Sequence, residues 1–230
     1  MTAGGIAPHI EALADDAWLL RFAPGDDANA RAHVLAARLR GEAPAWLRDL
    51  VPGWDSLGVC FDPAAVPADD VRAWLLAHRD HAPAAATASA PVVEIPVRYG
   101  GDHGIDLADA ADALGLSPAQ LIERHAAPLY TVAMIGFAPG FPYLAGLDPA
   151  LALPRLATPR SRVPAGSVGI GGAQTGIYPR ESPGGWRLLG RTPLRLFDPA
   201  RASPSLLAPG DRVRFVAIDD AAFAALERGA

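Results

Sequence analysis

The fold is decided by a series of short apolar runs in the second half of the chain: TVAMIGF at 131–137, VPAGSVGI at 163–170, TGIYP at 175–179, GWRLLG at 185–190 and RVRFVAI at 212–218. Glycine and proline punctuate this region every 6 to 12 residues. Short strands separated by turn residues at this spacing are typical of a β-barrel or a β-sandwich. Because closing a sheet removes its exposed edges, we expect a mainly β barrel here.

One strand and two helices are predicted ahead of these runs. Apolar and polar residues alternate from Val93 to Tyr99, which predicts a half-buried strand. Helices are expected at 106–114 and 118–125. Ser117 can cap the second helix, and Pro118 suits its first position.

The first 80 residues predict a smaller α+β domain with two helices on one antiparallel sheet. Strands are expected at 17–22, 46–51 and 56–61, and helices at 27–40 and 66–77. Gly41 follows the first helix at the position that usually ends one. The segment HAPAAATASAP at 81–91 is Ala, Pro and Ser, which predicts a linker between domains at 1–80 and 92–230.

The composition excludes several kinds of chemistry. All 20 basic residues are Arg, so a lysine phosphate loop, a Schiff-base lysine and a pyridoxal-phosphate anchor are impossible. Cys60 is the only cysteine, which excludes an intramolecular disulfide and a cysteine zinc cage and fits a reducing cytoplasm. The six histidines lack the pairing of a zinc site, so no metal is expected.

The sequence shows no segment typical of protein targeting, of membrane insertion or of nucleic-acid binding. No signal peptide and no membrane span is recognisable, so we expect a cytoplasmic protein with no membrane partner. Basic residues without Lys and with few paired aromatics argue against nucleic-acid binding.

The charges are unevenly distributed along the chain. Residues 1–150 carry a net charge of −10, whereas residues 151–215 carry +7. The basic segment predicts a surface for carboxylates, phosphates or an acidic partner. The alternative is that these arginines pair with the acidic first half.

The segment GFAPGFPYLAG at 136–146 combines flexible glycines with stiff prolines and three aromatic residues. Such a loop suits a wall for a small ligand, with Phe141 and Tyr143 as candidate contacts, or an interface with another protein. The alternative is a loop that packs only on itself.

Polar candidates for ligand binding lie further along the chain. In SVGIGGAQTGIYP at 167–179, Gln174 and Thr175 offer an amide and a hydroxyl between glycines. Arg160 and Arg191 are near this segment, and a guanidinium can bind a carboxylate or phosphate through two parallel hydrogen bonds. The alternative, which is the more frequent one for an arginine on a loop, is a solvated side chain or a structural ion pair.

His125 ends a predicted helix, and two interpretations stay open. At a helix C-terminus its protonated form is favoured, as a structural cap. It can also enter a site from the rim of the barrel as a general acid or base. It is therefore the candidate catalytic residue.

Four blocks of the chain resemble the family of the bacterial 5-oxoprolinase B subunit, also described as allophanate hydrolase subunit 1 or KipI kinase inhibitors. The blocks are GFAPGFPYLAGLD at 136–148, PRLATPRSRVPAGSVGIGGAQTGIYP at 154–179, ESPGGWRLLGRTPLRLFDP at 181–199 and LLAPGDRVRFVAI at 206–218. The first 80 residues match more thinly. The resemblance implies an N-terminal α+β domain and a cyclophilin-like barrel.

The resemblance also implies a function. Family members work as one component of an ATP-dependent amidase that opens 5-oxo-L-proline to L-glutamate, together with 5-oxoprolinase subunits C and A. We expect a chain that is inactive alone and forms a composite site with the C subunit. Two alternatives are a module that inhibits a sensor histidine kinase and a component of an allophanate or urea amidolyase enzyme.

Overall fold

The computed structural model describes residues 7–25, 27–79 and 92–229, which form two compact units on either side of residues 80–91. The predicted linker at 81–91 lies outside the described residues. The domain bounds of 1–80 and 92–230 therefore stay predictions.

The first unit is a four-stranded antiparallel sheet with two helices. In chain order its elements are β1 (His9–Ala14), β2 (Ala17–Arg21), α1 (Ala28–Gly41), β3 (Leu47–Pro52), β4 (Ser56–Phe61) and α2 (Ala68–His78). The strand order is β1-β2-β4-β3. Leu57 and Val59 of the central strand β4 are fully buried in a core that both helices share.

Two local predictions in this unit were incomplete. Strand β1 was missed because only Ile10 among its residues is buried, so the alternating pattern of a half-buried strand is weak. Gly41 is the last residue of α1 rather than the residue beyond it, and Glu42 takes the C-cap position.

The second unit is a closed barrel of seven strands, which confirms the predicted barrel. The barrel order is β10-β7-β6-β13-β5-β12-β9, and β8 and β11 form a separate two-stranded sheet. In chain order the elements are β5 (Val92–Tyr99), α3 (Leu107–Ala113), α4 (Pro118–Ala126), β6 (Tyr130–Ile135), β7 (Pro142–Ala145), β8 (Arg160–Val163), β9 (Ser167–Gly171), β10 (Gln174–Ile177), β11 (Ser182–Gly184), β12 (Arg187–Arg191), β13 (Arg212–Ala217) and α5 (Asp220–Arg228).

The barrel interior is an apolar core that alternate residues of each strand supply. Ile95, Val97 and Tyr99 of β5 lie in it, as the alternation at 93–99 predicts. Strand β5 pairs in parallel with β13 and antiparallel with β12. The first and last strands of the unit are therefore neighbours in the barrel wall.

Helix α4 begins as the sequence predicts. The Ser117 hydroxyl accepts a hydrogen bond from the Gln120 backbone N–H, and the Gln120 side chain accepts one from the Ser117 N–H. This reciprocal capping box, with Pro118 as the first helical residue, fixes where the helix starts. The position of His125, near the other end, follows from it.

Candidate functional site

A cluster of aromatic rings packs against the outside of the barrel wall, where Phe141, Tyr178 and Trp186 are buried and Phe137 and Tyr143 reach solvent. The rings of Phe141, Tyr178 and Trp186 meet edge to face, with Phe141 lying 5.2 Å from Tyr178 and 5.5 Å from Trp186 between centroids. Tyr143 lies 4.8 Å from Phe141. Together with Phe137, these residues form what we call the outer aromatic face. The predicted ligand-wall residues Phe141 and Tyr143 both belong to it.

Two glycines allow the rings to lie against the barrel wall. A Cβ atom on Gly171 would lie 2.5 Å from the Trp186 ring, and one on Gly176 would lie 3.1 Å from both the Phe141 and Trp186 rings. Both glycines occupy strands, β9 and β10, whose alternate residues fill the barrel core. The glycine-rich segment at 167–179 therefore serves as a floor for aromatic side chains.

The loop between β6 and β7 presents Phe137 to solvent. Phe137 has φ of 65°, a left-handed conformation that is rare for a bulky residue, and 61% of it is exposed. Backbone hydrogen bonds hold the loop, including those from the Phe141 N–H to the Ala138 carbonyl and from the Gly136 N–H to the Phe141 carbonyl. Holding such a residue costs on the order of 1–3 kcal/mol, and strain of this kind is common at binding surfaces.

The structure separates Gln174 from Thr175. Successive residues of a strand point to opposite faces of the sheet. Gln174 pairs with Gly171 across the β9–β10 hairpin and is half-buried on the side of the outer aromatic face. Thr175 is fully buried in the barrel interior. A single ligand on the outer face can therefore contact Gln174 but not Thr175.

Thr175 belongs to a buried chain of hydrogen bonds through His125. The Thr175 hydroxyl donates to the Gly169 carbonyl over 3.0 Å and lies 2.9 Å from Nε2 of His125. Because that hydroxyl proton is used, Nε2 donates to Thr175, and the other ring nitrogen, Nδ1, accepts from the Tyr99 hydroxyl at 2.9 Å. Every polar atom of the imidazole is thus satisfied with the ring neutral.

The surroundings of His125 match that neutral state. Its ring is 0% exposed and stacks on Phe215 at 4.8 Å between centroids. Burial lowers the pKa of His125 to about 3. The expectations of a rim position and of a protonated helix cap are therefore wrong, because helix α4 carries the side chain into the core. The proton-transfer role predicted for His125 stays a prediction.

Arg160 is engaged by a buried carboxylate. Its Nη2 atom lies 2.6 Å from Oδ1 of Asp106, and its Nη1 atom donates to the Trp186 carbonyl over 3.4 Å. The other Asp106 oxygen accepts the Leu188 N–H at 2.7 Å. Arg160 therefore borders the outer aromatic face as part of the structure that supports Trp186.

Arg191 lies in a different place. Its Nε donates to the Ala165 carbonyl over 2.8 Å, and its guanidinium lies 3.9 Å from Glu227 and 5.8 Å from the Phe223 ring centroid. It lines a cleft of about 300 Å³ that also includes Arg180. Of the seven predicted site residues, the outer aromatic face thus brings together Phe141, Tyr143 and Gln174, with Arg160 at its border.

Sequence reasoning missed a cation on this face. The Arg155 guanidinium lies 5.9 Å above the centroid of the Trp186 ring. Burial raises the pKa values of Tyr143 and Tyr178, and the positive charge of Arg155 opposes both shifts. The position of Arg155 in the basic segment 151–215 was consistent with a binding role, but nothing in the sequence distinguished it from the other arginines there.

The described residues contain neither a metal-binding cluster nor a membrane-spanning helix. Within 7–25, 27–79 and 92–229, no group of three or more His, Cys, Asp and Glu side chains is arranged to hold a metal ion. None of the helices in those ranges has both the length and the apolar character needed to cross a membrane.

Comparison with known proteins assigns the family. Residues 8–207 match the family model for the carboxyltransferase domain, subdomains C and D. The chain is 39% identical over 224 residues to the B subunit of 5-oxoprolinase from Bacillus subtilis, an alignment that covers 92% of this chain and 93% of that protein. This chain belongs to the family of the 5-oxoprolinase B subunit. The resemblance inferred from the sequence blocks is thereby confirmed.

Other family members match over shorter spans. The chain is 59% identical to the 5-oxoprolinase B subunit of Haemophilus influenzae over 124 residues, which are 54% of this chain and 58% of that protein. The matched part therefore spans less than two thirds of that relative.

Solved structures extend the comparison. The crystal structure of TTHA0988 superposes with a TM-score of 0.76 at 44% identity, covering 88% of this chain and 40% of that one. Urea carboxylase of Kluyveromyces lactis superposes with a TM-score of 0.72 at 18% identity, covering 94% of this chain and 22% of that one. The second likeness concerns the fold alone.

Proposed function

We propose that this chain is a non-autonomous subunit of an ATP-dependent 5-oxoprolinase. The enzyme would convert 5-oxo-L-proline, ATP and water to L-glutamate, ADP and phosphate. The observation that carries the proposal is the 39% identity, over nearly the full length of both chains, to a protein named as the B subunit of 5-oxoprolinase. The companions in the proposed complex are 5-oxoprolinase subunits C and A.

The outer aromatic face is the surface we propose for the composite site with the C subunit. The apolar part of a five-membered lactam suits the half-buried ring of Tyr143, which packs on the buried Phe141 ring, and the Gln174 amide can pair with the lactam amide. The exposed, strained Phe137 at the edge of this face supports a surface that a second polypeptide covers.

The remaining predicted residues would act from behind that face. Arg160 would hold the Trp186 backbone, and Thr175 with His125 would fix the position of β10, which carries Gln174. His125 is then a positioning residue, because its ring reaches other groups only through Tyr99 and Thr175. Arg191 would serve a separate cleft.

The chemistry that the complex must perform explains the need for ATP. Opening an unstrained lactam breaks the ring C–N bond after the carbonyl carbon is attacked by water. Phosphoryl transfer from ATP to the carbonyl oxygen would make that carbon electrophilic, and phosphate would leave as the amide is hydrolysed. We assign no ATP site to this chain.

The finer fold and location assignments belong to the same proposal. The four-stranded sheet with two helices supports an α+β class for the first unit, and the closed barrel supports a cyclophilin-like second unit. The single cysteine, Cys60, supports a reducing compartment such as the cytoplasm.

The test is reconstitution. The chain is purified with subunits C and A, and ADP release that depends on 5-oxo-L-proline is measured with and without it. We expect turnover from the full set only, and none from this chain alone. Undiminished turnover in its absence would refute the proposal. Allophanate in place of 5-oxo-L-proline tests the alternative amidolyase function.

The exposure of Phe137 also supports the alternative function of a kinase inhibitor, because an outward aromatic side chain suits docking on a helical partner. In that case the chain alone would slow autophosphorylation of a sensor histidine kinase, and Phe137→Ala would relieve the inhibition. An unchanged rate at micromolar chain would exclude it.

A further inference from the structure

A carboxylate-bearing lactam needs a cation at the outer aromatic face. Three arginines lie in the segment beside it, and two have their guanidinium groups committed. Arg160 is bonded to Asp106, which is itself buried. Arg162 pairs with Glu181 at 2.6 Å on the exposed surface. A ligand could recruit Arg160 only by leaving the Asp106 carboxylate unpaired, which is costly for a buried charge.

Arg155 is the third, and its guanidinium is available. It lies exposed over the ring of Trp186, a contact that positions the guanidinium without using its N–H donors. Within the described part of the chain it forms no ion pair. Its charge reaches the Tyr143 and Tyr178 hydroxyls, so cation, ring faces and phenol groups share one corner of the outer aromatic face.

We infer that Arg155 binds the carboxylate of the lactam substrate, an inference that rests on the proposed function. A guanidinium binds a carboxylate through two parallel N–H donors, which fixes orientation as well as position. With the carboxylate on Arg155, the lactam ring lies along the half-buried Tyr143, while the buried Trp186 ring positions the guanidinium. Arg155 is therefore the residue that selects acidic lactams over neutral ones of the same ring size.

The test uses the reconstituted three-component complex and two substrates. One is 5-oxo-L-proline, and the other is 2-pyrrolidinone, the same ring without the carboxylate. Arg155→Gln removes the charge, and Arg162→Gln is the matched control, because Arg162 is also exposed and lies in the same segment. ATP-dependent turnover is measured over a range of substrate concentrations.

We expect Arg155→Gln to raise KM for 5-oxo-L-proline by roughly 10- to 100-fold, the range for losing a hydrogen-bonded charge, with kcat within about twofold. The preference for 5-oxo-L-proline over 2-pyrrolidinone should fall by a similar factor. Arg162→Gln should leave both quantities within about twofold of the unaltered complex.

The outcomes separate the two claims. If the unaltered complex turns over 5-oxo-L-proline and Arg155→Gln does so with the same KM, the carboxylate inference fails and the proposed function stands. If Arg155→Gln no longer co-elutes with subunits C and A, Arg155 is an interface residue and the inference again fails. If the unaltered complex is inactive on 5-oxo-L-proline, the proposed function fails and the inference with it.

Discussion

The barrel interior and the outer aromatic face use aromatic and polar side chains in opposite ways. Inside, the hydrogen-bond chain from Tyr99 through His125 to Thr175 is closed, because each donor has an acceptor and no atom of His125 is exposed. Outside, Phe137 is exposed and Tyr143 is half-buried, and the Arg155 guanidinium is exposed above the buried Trp186 ring. The wall between the two is a single layer of strands.

That difference shows how little sequence proximity says about shared chemistry. Gln174 and Thr175 are adjacent in the chain, yet one lies on the outer side and the other in the core. A closed polar network specifies one arrangement of the interior. The exposed guanidinium above the buried Trp186 ring, by contrast, keeps its N–H donors toward solvent. Four changes test this contrast.

The largest expected effect is on the interior. His125→Leu leaves the Tyr99 hydroxyl buried without an acceptor and removes the stacked pair with Phe215. We expect the second unit to lose about 3–4 kcal/mol of unfolding free energy. All four tyrosines lie in that unit, so tyrosine absorbance during urea unfolding reports it.

A double-mutant cycle checks the cause. When Tyr99→Phe is added to His125→Leu, the orphaned hydroxyl disappears, so the pair should cost about 1 kcal/mol less than the sum of the single changes. Simple additivity would mean that the hydrogen bond between them contributes nothing.

The next effect tests the border between the two regions. Arg160→Met strands the buried Asp106 carboxylate, and we expect a loss of about 3 kcal/mol by the same urea measurement. Arg162→Met breaks only an exposed pair and should cost less than about 0.5 kcal/mol. Equal costs would contradict the supporting role given to Arg160.

Acid should weaken the interior selectively. The folded-state pKa of His125 is about 3, below its ordinary value of 6.5, so the unfolded chain takes up the proton first. The contribution of neutral His125 to the free energy of unfolding is therefore present in full above pH 6.5 and is lost as the pH falls toward 3. At about pH 5 the free energy of unfolding should be lower by about 2 kcal/mol.

His125→Gln isolates this contribution, since its amide can donate and accept without gaining charge. Unfolding free energies of both proteins between about pH 7 and pH 4 should diverge as the medium is acidified, the unaltered chain losing more. Parallel curves would show that His125 is not buried in its neutral form.

The smallest effect concerns the floor of the outer aromatic face. Gly171→Ala places a methyl group 2.5 Å from the Trp186 ring, and the displaced ring should cost about 1–2 kcal/mol. Gly185→Ala is the control, because its nearest neighbours lie at 3.7 Å. If Gly171→Ala is as harmless as the control, the rings do not depend on a glycine floor.

Local features were predictable from sequence because short-range patterns determine them. The alternation at 93–99 predicted a strand, and the pair Ser117 and Pro118 marked the start of α4. The barrel followed from the spacing of apolar runs and turn residues. Helix α5, a single helix after the last strand, was not predicted.

The site was less predictable because its contacts join distant residues. Asp106 lies 54 positions from Arg160, and Tyr99 and Thr175 lie 26 and 50 positions from His125. Short-range sequence patterns do not predict side-chain contacts between residues so far apart in the chain. Arg155 could be distinguished from the other arginines only once Trp186 was seen beneath it.

The parallel pairing of β5 with β13 has a consequence for biosynthesis. The barrel wall is completed by β13, which follows the other barrel strands in the chain and pairs with β5, which precedes them. Until that strand leaves the ribosome, β5 keeps an open edge on one side. Closure of the barrel is therefore a late step in folding, because pairing β13 with β5 closes a long loop at a large cost in chain entropy. A chain truncated before residue 212 would leave the edge of β5 unpaired and open to chaperone binding or aggregation.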